Sequence, residues 1–376
     1  MTAFHPIDLK FMNDALNLAR RGAGRTHPNP MVGCLVLDRE GRVVGEGWHK
    51  GPGLAHAEVE ALEQAGDRAR GGTLYVSLEP CSHYGRTPPC ADRIIQAGIR
   101  RVVAAMQDPN PRVSGKGFEK LSRAGIEVTV GVMQREALLL NRAFVTRMTQ
   151  GRPYVTLKLA QSLDGKAATH TGESQWITSQ NSRSHAHQIR AQVDAIIVGI
   201  GTVLADDPLL TARPGHGAHR QPVRVVVDSR ARTPLTARCL VEPGGPTWVA
   251  LTQRAPEKRR KELQEAGAQV WISPGDGERV DLEALLRHLA QHEITHVLVE
   301  GGPTLAGAFV DADLVDEVQA YIAPLLIGGR KALPSLGGQG RATLAQAIRL
   351  VEPNVETLGP DLLVCGRTPR RFLGDV

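Results

Sequence analysis

Short apolar segments alternate with amphipathic segments along the chain, and this alternation constrains the fold more than any other feature. In the first half, the segments MVGCLVLD, GTLYVSL, RVVAAM and EVTVGV have the length and composition of strands. The segments between them, AEVEALEQAG, CADRIIQAG and GFEKLSRAG, have helical periodicity. Regular alternation of this kind predicts an α/β fold in which helices cover both faces of a sheet.

A break near residue 150 divides this pattern into two series. The segment MQREALLLNRAFVTRMTQ predicts a helix that closes the first series, and Gly151–Pro153 ends that helix. A second series then runs through YVTLKLAQSLDG, DAIIVGIGTVLADD, VRVVVDS, PTWVALT, AQVWIS, HVLVEGG and EVQAYIAP. Because a length of 376 residues is typical of two domains, we predict one α/β domain over residues 1–149 and another over residues 150–376.

Composition is typical of a globular protein of the cytoplasm. Apolar residues make up 41% of the chain and charged residues 22%, and no apolar run has the length that spans a bilayer. The N-terminal segment MTAFHPIDLKFMNDALNLARRG carries acidic residues and lacks the apolar centre of a signal peptide. Five cysteines, an odd number in a long chain, indicate reduced thiols. We therefore expect a cytoplasmic protein without a membrane partner.

The charge pattern favours a small anionic ligand over a nucleic acid. The net charge is +6, but no long basic run is interleaved with aromatic residues, which make up only 4% of the chain. The segment EKRRKELQEAG is typical of a solvated helix face. A mild and diffuse excess of positive charge suits a phosphate ester.

A histidine, a glutamate and two cysteines have the order of a catalytic zinc site. His56 and Glu58 begin a predicted helix, and Cys81 and Cys90 enclose the segment SHYGRTPP. One nitrogen and two sulfur ligands suit zinc and leave a fourth tetrahedral position for water. Glu58 is near enough to His56 to move protons for that water without being a ligand itself.

The order H-x-E, then P-C and a second cysteine, is the signature of zinc deaminases. One difference is that eight residues separate the two cysteines here, where nucleobase deaminases have two. Taken singly, each cysteine is explained as a small buried residue and the histidine as a surface residue. Taken together, these residues favour one zinc ion per chain.

Cys90 is also expected to release its proton readily. Thr87 is a suitable helix cap and Pro88 a suitable first helical residue, which would put Cys90 in the first turn. The positive end of a helix dipole stabilises the thiolate, which is the form that binds metal.

Motifs in both halves closely resemble those of the bifunctional riboflavin-biosynthesis family, in which a pyrimidine deaminase is fused to a reductase. In the first half they are THPNPMVGC, PCSHYGRTPPC and DPNP. In the second half they are TLKLAQSLDGKAA, GESQWITS, VGIGTVLADDPLLTAR and VEGGPTLAGAF, in the family's order. The resemblance covers most of the chain. It implies an N-terminal cytidine-deaminase-like α/β/α domain and a C-terminal dihydrofolate-reductase-like α/β domain.

The resemblance implies further roles in the first domain. Asn29 is similar to the residue that holds the pyrimidine, and His83, Arg86 and Asn110 are similar to the group that reads the ribose phosphate. An arginine suits this role because its planar fork binds phosphate through two hydrogen bonds. The alternatives are a solvated loop cation for Arg86 and turn residues for Asn29 and Asn110, which both lie between prolines.

For the second domain the resemblance implies NADPH as the cofactor. The segment HVLVEGGPTLAGAF runs from a strand through paired glycines into a helix, whose N-terminus would face a pyrophosphate. Such a strand, turn and helix is by itself also common packing. The residues similar to the family's cofactor contacts are Ala160, Trp176, Thr202, Asp206, Ser229, Gly302, Pro303, Thr304, Leu305, Ala306, Gly307 and Ala308.

A second set of residues is similar to the substrate contacts of the family's reductase domain. These residues are Lys158, Ser174, Arg190, Leu210, Arg213 and Glu300. The two arginines would suit the phosphate, and Glu300 would accept hydrogen bonds from sugar hydroxyls. For Asp164 of SLDG, a turn beside the site and a direct role both stay open.

These observations predict a bifunctional enzyme of riboflavin biosynthesis. Its first domain, a zinc hydrolase, would deaminate 2,5-diamino-6-ribosylamino-4(3H)-pyrimidinone 5′-phosphate. Its second domain, an NADPH-dependent oxidoreductase, would reduce the ribosyl to the ribityl side chain and give 5-amino-6-ribitylaminouracil 5′-phosphate. We expect a small phosphorylated pyrimidine as substrate, no nucleic-acid partner, and a homo-oligomer.

Two other function classes are compatible with parts of this pattern. One is an RNA- or nucleobase-editing zinc deaminase with an appended binding domain, against which the long cysteine spacing and the few aromatic residues count. The other is a structural zinc protein whose second half is a binding module, against which an open fourth ligand position would count.

Overall fold

The computed structural model describes residues 4–82, 88–111, 113–215 and 220–369. In it the chain divides into two units, an N-terminal unit that ends at Gly151 and a C-terminal unit that begins at Arg152. Gly151 has a positive φ of 66° and caps the preceding helix, as expected for the glycine of the GRP break.

The N-terminal unit contains a five-stranded sheet and six α-helices among its described residues. The strands are β1 (Gly33–Leu37), β2 (Val43–Trp48), β3 (Thr73–Val76), β4 (Arg101–Ala104) and β5 (Glu127–Val130). The helices are α1 (Pro6–Arg20), α2 (Ala57–Ala65), α3 (Cys90–Gln96), α4 (Lys116–Arg123), α5 (Gln134–Leu140) and α6 (Arg142–Gln150), with a 3-10 turn at Gly66–Ala69. The strand order is β2-β1-β3-β4-β5, in which β1 is antiparallel to both neighbours and β3, β4 and β5 are parallel.

The segment predicted as one closing helix forms two helices, α5 and α6, which break at Asn141. This side chain is buried, and its amide exchanges two hydrogen bonds with the backbone of Met31, of 2.8 Å to the N–H and 2.9 Å to the carbonyl. A buried amide satisfied in this way fixes the position of the break, which helical periodicity alone did not reveal.

Strand β2 was absent from the sequence prediction because its sequence, VVGEGW, has two glycines among six residues. The glycines have a packing role: a Cβ on Gly45 would lie 2.0 Å from the Ala61 carbonyl oxygen, and one on Gly47 would lie 2.1 Å from that of Ala57. Helix α2 therefore rests directly on the backbone of β2, at a distance that no larger residue permits.

The C-terminal unit contains a nine-stranded mixed sheet and six α-helices among its described residues. The strands of the chain here are β6 (Tyr154–Ser162), β7 (Lys166–Ala168), β8 (Ala195–Gly199), β9 (Val223–Val227), β10 (Thr247–Leu251), β11 (Gln269–Ile272), β12 (His296–Val299), β13 (Glu317–Ala323), β14 (Leu333–Pro334), β15 (Val351–Leu358) and β16 (Asp361–Arg367). The helices are α7 (Gln180–Arg190), α8 (Ile200–Asp206), α9 (Arg238–Val241), α10 (Glu257–Glu265), α11 (Leu282–Gln291) and α12 (Pro303–Asp311), with a 3-10 turn at Leu344–Gln346.

The large sheet has the order β11-β10-β9-β8-β12-β6-β13-β16-β15, and β7 pairs separately with β14. From β11 to β13 all neighbours are parallel, while β16 is antiparallel to both β13 and β15. Side chains of the parallel strands such as Val155, Ile197, Val225 and Val297 are completely buried. This agrees with the near-continuous apolar runs in the sequence, since helices cover both faces of a parallel sheet.

Two surface features complete the C-terminal unit. The segment EKRRKELQE forms α10, whose buried residue is Leu263, so the prediction of a solvated helix face is confirmed. The hairpin β15–β16 was not predicted, because seven of the eight residues of β15 are exposed and the strand has no buried apolar face.

Within the described ranges, we find no helix with the length and apolar content that crossing a membrane requires.

The contact between α2 and β2 leads to a stability prediction. Gly47→Ala would place a methyl group on the Ala57 carbonyl, which should lower the free energy of unfolding by about 2 kcal/mol or more. Gly51→Ala is the matched control in the same unit, since its Cβ would lie 3.4 Å from the nearest atom, an ordinary contact. Urea unfolding of both variants measures the effect, and equal midpoints would contradict the assigned packing.

Candidate active sites

Three elements of the N-terminal unit bring together one histidine and two cysteines. His56 is the residue before α2, Cys81 lies in the segment after β3, and Cys90 is the first residue of α3. The Nδ1 atom of His56 lies 3.2 Å from the Cys90 sulfur and 3.7 Å from the Cys81 sulfur. All three ligand atoms lie within 4.8 Å of one another.

This donor set fits zinc. Ligands of a tetrahedral zinc ion, at bonds of about 2.0 Å to nitrogen and 2.3 Å to sulfur, lie roughly 3.5–3.8 Å apart. The spacing of His56, Cys81 and Cys90 is close to this value. Three protein ligands are the number found in catalytic zinc sites, where a fourth position stays open for water or substrate.

The two cysteines differ in how readily they lose a proton. Hydrogen bonds from Cys90 and His56 to the Cys81 sulfur lower the pKa of Cys81 to about 4. The same hydrogen bond to Cys81, together with burial, raises the pKa of Cys90 well above its usual value. Pro89 caps α3 and Cys90 begins it, so Cys90 lies in the first turn as expected, although Pro88 is not the first helical residue. The hydrogen bond to Cys81 acts on the pKa of Cys90 in the direction opposite to the expected effect of the helix dipole.

Glu58 is a buried carboxyl group beside this cluster. It is the second residue of α2, its exposure is 3%, and it forms a hydrogen bond with the Cys90 side chain. Burial and, after it, the Cys81 thiolate raise the pKa of Glu58 to about 7, although the charge of His56 opposes this. A carboxyl group with such a pKa can accept and return a proton near neutral pH.

Asn29 is linked to the cluster through a histidine that the sequence analysis missed. The Asn29 side-chain nitrogen lies 3.1 Å from Nε2 of His49, whose Nδ1 lies 3.2 Å from the Ala55 carbonyl. A carbonyl only accepts, so His49 donates through Nδ1 and accepts the Asn29 amide at Nε2. The His49 ring packs edge-on against His56, with centroids 5.6 Å apart. This arrangement turns the Asn29 oxygen away from His49. In the sequence, His49 stood out only as a lone histidine in GWHKG.

The remaining predicted residues of the first domain lie partly outside the described residues. His83 and Arg86 belong to the segment 83–87, of which nothing is described. Asn110 lies on the loop after β4, where its N–H donates to the Asp108 carboxylate over 2.8 Å. The roles of all three in substrate binding stay predictions.

In the C-terminal unit, the residues assigned to the cofactor lie at the carboxyl ends of parallel strands. Thr202 and Asp206 follow β8 on α8, Ser229 follows β9, and the segment 302–308 follows β12 on α12. Parallel strands have their carboxyl ends at one edge of the sheet, which is the usual place for a ligand in α/β folds. Ala160 lies on the next strand, β6.

The start of α12 fits a phosphate-containing cofactor. Gly302 caps the helix and Pro303 is its first residue, so the next N–H groups point out of the helix end. A Cβ on Gly302 would lie 3.3 Å from the Thr202 hydroxyl, and one on Gly301 would lie 2.7 Å from the Gly199 nitrogen. The turn after β12 thus lies against the start of α8, and a side chain at Gly301 would disturb this contact.

Ser174 and Trp176 are two further predicted residues, of which Ser174 contacts a member of the same set. The Ser174 hydroxyl donates a hydrogen bond of 3.0 Å to Asp206. Trp176 is 68% exposed, and the Arg183 guanidinium lies 4.5 Å above its ring. A large exposed ring held by a cation is available for a ligand to pack against.

The residues predicted to bind the substrate in the C-terminal unit include a largely buried ion pair. Arg190, at the end of α7, donates to both carboxylate oxygens of Glu300 over 2.7 Å and 2.5 Å. Burial favours the neutral form of Glu300, but the charge and hydrogen bonds of Arg190 outweigh it and lower the pKa of Glu300 to about 2. Burial lowers the pKa of Lys158 on β6, against the opposing effect of the Glu300 charge. Because Glu300 stays ionised and binds Arg190 through both oxygens, it already neutralises the charge of this arginine.

Arg213 and Leu210 lie on the segment after α8. Arg213 donates to the Thr211 hydroxyl over 2.6 Å, and its other terminal nitrogen lies 3.2 Å from Nε2 of His187. Burial and the charge of Arg190 lower the pKa of His187 to about 4, so its ring stays neutral and accepts from Arg213. Leu210 is buried with a positive φ of 52°, which is unusual for a branched residue and typical of functional sites. His187 was not singled out from the sequence.

Asp164 has a structural role in the turn SLDG. Its carboxylate accepts the Ser162 hydroxyl over 2.6 Å and the N–H groups of Ile327 and Gly328 over 3.0 Å and 2.7 Å. The Ser162 hydrogen bond is the main reason that the pKa of Asp164 falls to about 2. Of the two alternatives left open by the sequence, these contacts favour the turn.

Comparison with known proteins places the whole chain in one family. Residues 6–106 match the profile of the cytidine and deoxycytidylate deaminase zinc-binding region, and residues 153–364 match that of the RibD C-terminal domain. The riboflavin biosynthesis protein RibD of Aquifex aeolicus is 48% identical over 95% of this chain and 98% of its own length. RibD of Escherichia coli K12 is 46% identical over 94% of this chain and 98% of its own. The chain belongs to the RibD family.

Solved structures agree with this assignment. RibD of Acinetobacter baumannii superposes with a TM-score of 0.88 at 41% identity and covers 97% of this chain and 99% of its own. A diaminohydroxyphosphoribosylaminopyrimidine deaminase/5-amino-6-(5-phosphoribosylamino)uracil reductase of Thermotoga maritima superposes with a TM-score of 0.84 at 37% identity, covering 96% and 99%.

Family membership confirms several predictions. The chain has the predicted α/β fold class with a cytidine-deaminase-like N-terminal part and a RibD reductase part. It is a bifunctional enzyme of riboflavin biosynthesis, a hydrolase and an oxidoreductase in one chain, and its cofactors are zinc and NADPH. Its substrate is a small pyrimidine. An editing deaminase with an appended domain is not favoured, because the match extends over both halves.

Proposed function

We propose that residues 1–149 deaminate 2,5-diamino-6-ribosylamino-4(3H)-pyrimidinone 5′-phosphate and that residues 150–376 then reduce the ribosyl side chain of the product. The final product would be 5-amino-6-ribitylaminouracil 5′-phosphate. The observation that carries the proposal is the cluster of His56, Cys81 and Cys90 with the buried carboxyl of Glu58 beside it.

In the deaminase, the protein holds the metal and moves protons. His56, Cys81 and Cys90 would hold one zinc ion, which supplies a water activated for attack on the amidine carbon of the pyrimidine. Glu58 accepts a proton on its buried carboxylate and returns it to the leaving amino group, which departs as ammonia. Asn29, held by His49, orients the pyrimidine ring.

The phosphate-bearing ribose of the same substrate would be read by His83, Arg86 and Asn110. This assignment rests on the family motifs PCSHYGRTPPC and DPNP. It agrees with the mild positive charge of the chain and with an arginine as the phosphate ligand.

In the reductase, the protein positions the sugar and supplies a proton. Thr202, Ser229 and the start of α12 would hold NADPH, which would supply a hydride to C1′ of the ribose. The ring oxygen must gain a proton when the ring opens, and Lys158 is suited to donate it because burial lowers its pKa. Glu300, held by Arg190, accepts hydrogen bonds from the sugar hydroxyls, which leaves Arg213 for the phosphate.

We also propose a cytoplasmic location and no nucleic-acid partner, from the reduced cysteines and the lack of a basic, aromatic surface pattern in the sequence. A homo-oligomer is supported by the open edge of the large sheet. β15 is the last strand of the sheet, and Val351 and Val355 are 38% and 59% exposed on it. A second copy related by a two-fold axis could pair with this edge antiparallel.

Glu58→Gln should retain about one zinc per chain yet lose deamination by roughly 10²–10⁴-fold, because the proton carrier is lost while the ligands stay. Cys81→Ser is the contrasting variant, which should lose zinc because a hydroxyl is a poor zinc ligand. Metal analysis and release of ammonia measure the two effects. Near-normal turnover of Glu58→Gln would remove this role for Glu58.

Lys158→Ala should abolish reduction and let the deaminated ribosylaminouracil phosphate accumulate, because its defect lies after the zinc site. Chromatography of the products, with NADPH oxidation followed by absorbance, measures this. Lys258→Ala on α10, a lysine that is 88% exposed, is the control and should behave like the natural chain. Loss of deamination in a folded Lys158→Ala chain would contradict the two-site proposal.

Val355→Asp should shift the chain toward monomers, since a charge on the edge strand disfavours pairing between copies. Light scattering during size-exclusion chromatography gives the mass. Val43→Asp is the matched control, because Val43 is 43% exposed at the edge of the smaller sheet. An unchanged mass for Val355→Asp, or dissociation by Val43→Asp instead, would contradict the assigned edge.

A further inference from the structure

Glu79 is a buried carboxylate between β3 and Cys81 that has no role in the assignments above. Its exposure is 3%. One carboxylate oxygen accepts the N–H groups of Asp108 over 3.1 Å and Gly115 over 2.9 Å, and the other accepts the N–H of Gly117 over 2.8 Å. Three backbone donors, from the loop after β4 and the first turn of α4, therefore converge on a single side chain.

The loop that these donors belong to carries Asn110. Its described residues, 108–111 and 113–117, lie between β4 and the first turns of α4. The Asp108 carboxylate accepts the N–H of Asn110, and the Asn110 carbonyl accepts the N–H groups of Val113 and Ser114 over 2.9 Å and 3.0 Å. Asn110 is therefore positioned by Asp108, whose own backbone is bound to Glu79.

The far end of the loop is in direct contact with the segment that bears the metal ligand. A Cβ on Gly117 would lie 2.1 Å from the Pro80 carbonyl oxygen and 3.1 Å from a carboxylate oxygen of Glu79. Pro80 is the residue before Cys81. The loop and the Cys81 segment are thus joined by Glu79 and by this close backbone contact.

The chemistry of the contact requires a carboxylate. N–H groups need acceptors, and an ionised carboxylate offers acceptor sites on both oxygens, with stronger hydrogen bonds than a neutral group forms. A glutamine at the same place would keep one oxygen but would turn an NH₂ group toward at least one N–H donor. A donor facing a donor in a buried place is costly, so the loop would move.

We propose that Glu79 is a positioning residue of the deaminase, which sets the distance between Asn110 and Cys81 and thereby controls binding of the phosphate-bearing ribose. The proposal rests on the function proposed above for the N-terminal unit. It predicts that a defect at Glu79 weakens binding of the substrate more than it slows the chemical step, since the zinc ligands and Glu58 stay in place.

The test is the steady-state deamination kinetics of Glu79→Gln in the full-length zinc enzyme. We expect KM to rise about tenfold, with kcat changed by less than about threefold, because the variant loses one or two buried hydrogen bonds to a charged group. Zinc content should stay near one per chain. The rise in KM should be smaller for the substrate without its 5′-phosphate, and the reductase activity of the same chain should be unchanged.

Two further variants separate positioning from mere stabilisation. Asp8→Asn alters another buried carboxylate of the same unit, which binds Tyr75 and Arg101 over 2.8 Å, and should lower the unfolding midpoint without raising KM. Gly115→Ala acts from the loop side, because Gly115 has a φ of +82°, which alanine adopts poorly. It should reproduce the rise in KM, and it decides the question if Glu79→Gln does not fold.

The proposal is overturned if KM stays unchanged in both Glu79→Gln and Gly115→Ala, or if Asp8→Asn raises KM equally. It is also overturned if Glu79→Gln loses zinc and kcat together at constant KM, since Glu79 would then support the metal ligands alone. Failure of the proposed function looks different, because the natural chain itself would then not deaminate the diaminopyrimidine phosphate.

Discussion

The backbone contact between α2 and β2 is the constraint on which the rest of the N-terminal unit depends. Gly45 and Gly47 let the helix lie so close to the strand that a Cβ atom on either glycine would be only 2.0 or 2.1 Å from a carbonyl oxygen of α2. His56 is the cap of this helix and Glu58 its second residue. A displacement of α2 by the width of a methyl group would move His56 away from both cysteine sulfurs, which now lie 3.2 Å and 3.7 Å from its Nδ1.

Loops in both units are held by carboxylates that accept backbone N–H groups. Glu79 accepts three of them in the N-terminal unit, and Asp164 accepts those of Ile327 and Gly328 in the C-terminal unit. Asp361 binds the N–H of Ser179 over 2.7 Å at the start of α7, the helix that ends in Arg190. A charged acceptor binds an N–H group more strongly than a carbonyl does. Irregular segments are thereby fixed without belonging to a sheet.

Features that depend on a short stretch of sequence could be predicted. Contacts between residues that are distant in the sequence could not. The apolar runs predicted the strands β3, β4, β8 and β12, and the order of His56, Glu58, Cys81 and Cys90 predicted the metal cluster, because strand periodicity and ligand order are both visible in a short window. The pair Arg190 and Glu300 is 110 residues apart, so only the folded sheet reveals that the arginine is neutralised.

The other misses have similar physical causes. Strand β2 lacked apolar alternation because glycines were needed for packing against α2, and β15 lacked it because both of its faces are exposed. The sequence suggested the local effect of a helix dipole on Cys90, but it did not reveal the hydrogen bond to Cys81, nine residues away, which raises the pKa of Cys90.

Glu58 and Glu300 show how surroundings give different chemistry to one residue type. Glu58 lies near a thiolate, and burial raises its pKa to about 7, so its proton is exchangeable near neutral pH. The Glu300 side chain is only 5% exposed, but Arg190 lowers its pKa to about 2. Because this folded-state pKa lies below the usual value near 4.5, the ion pair stabilises the fold above that usual value and loses the effect as the pH falls toward 2. The paired arginine is therefore what separates a glutamate whose proton exchanges near neutral pH from one that stays charged, and no local sequence pattern encodes that pairing.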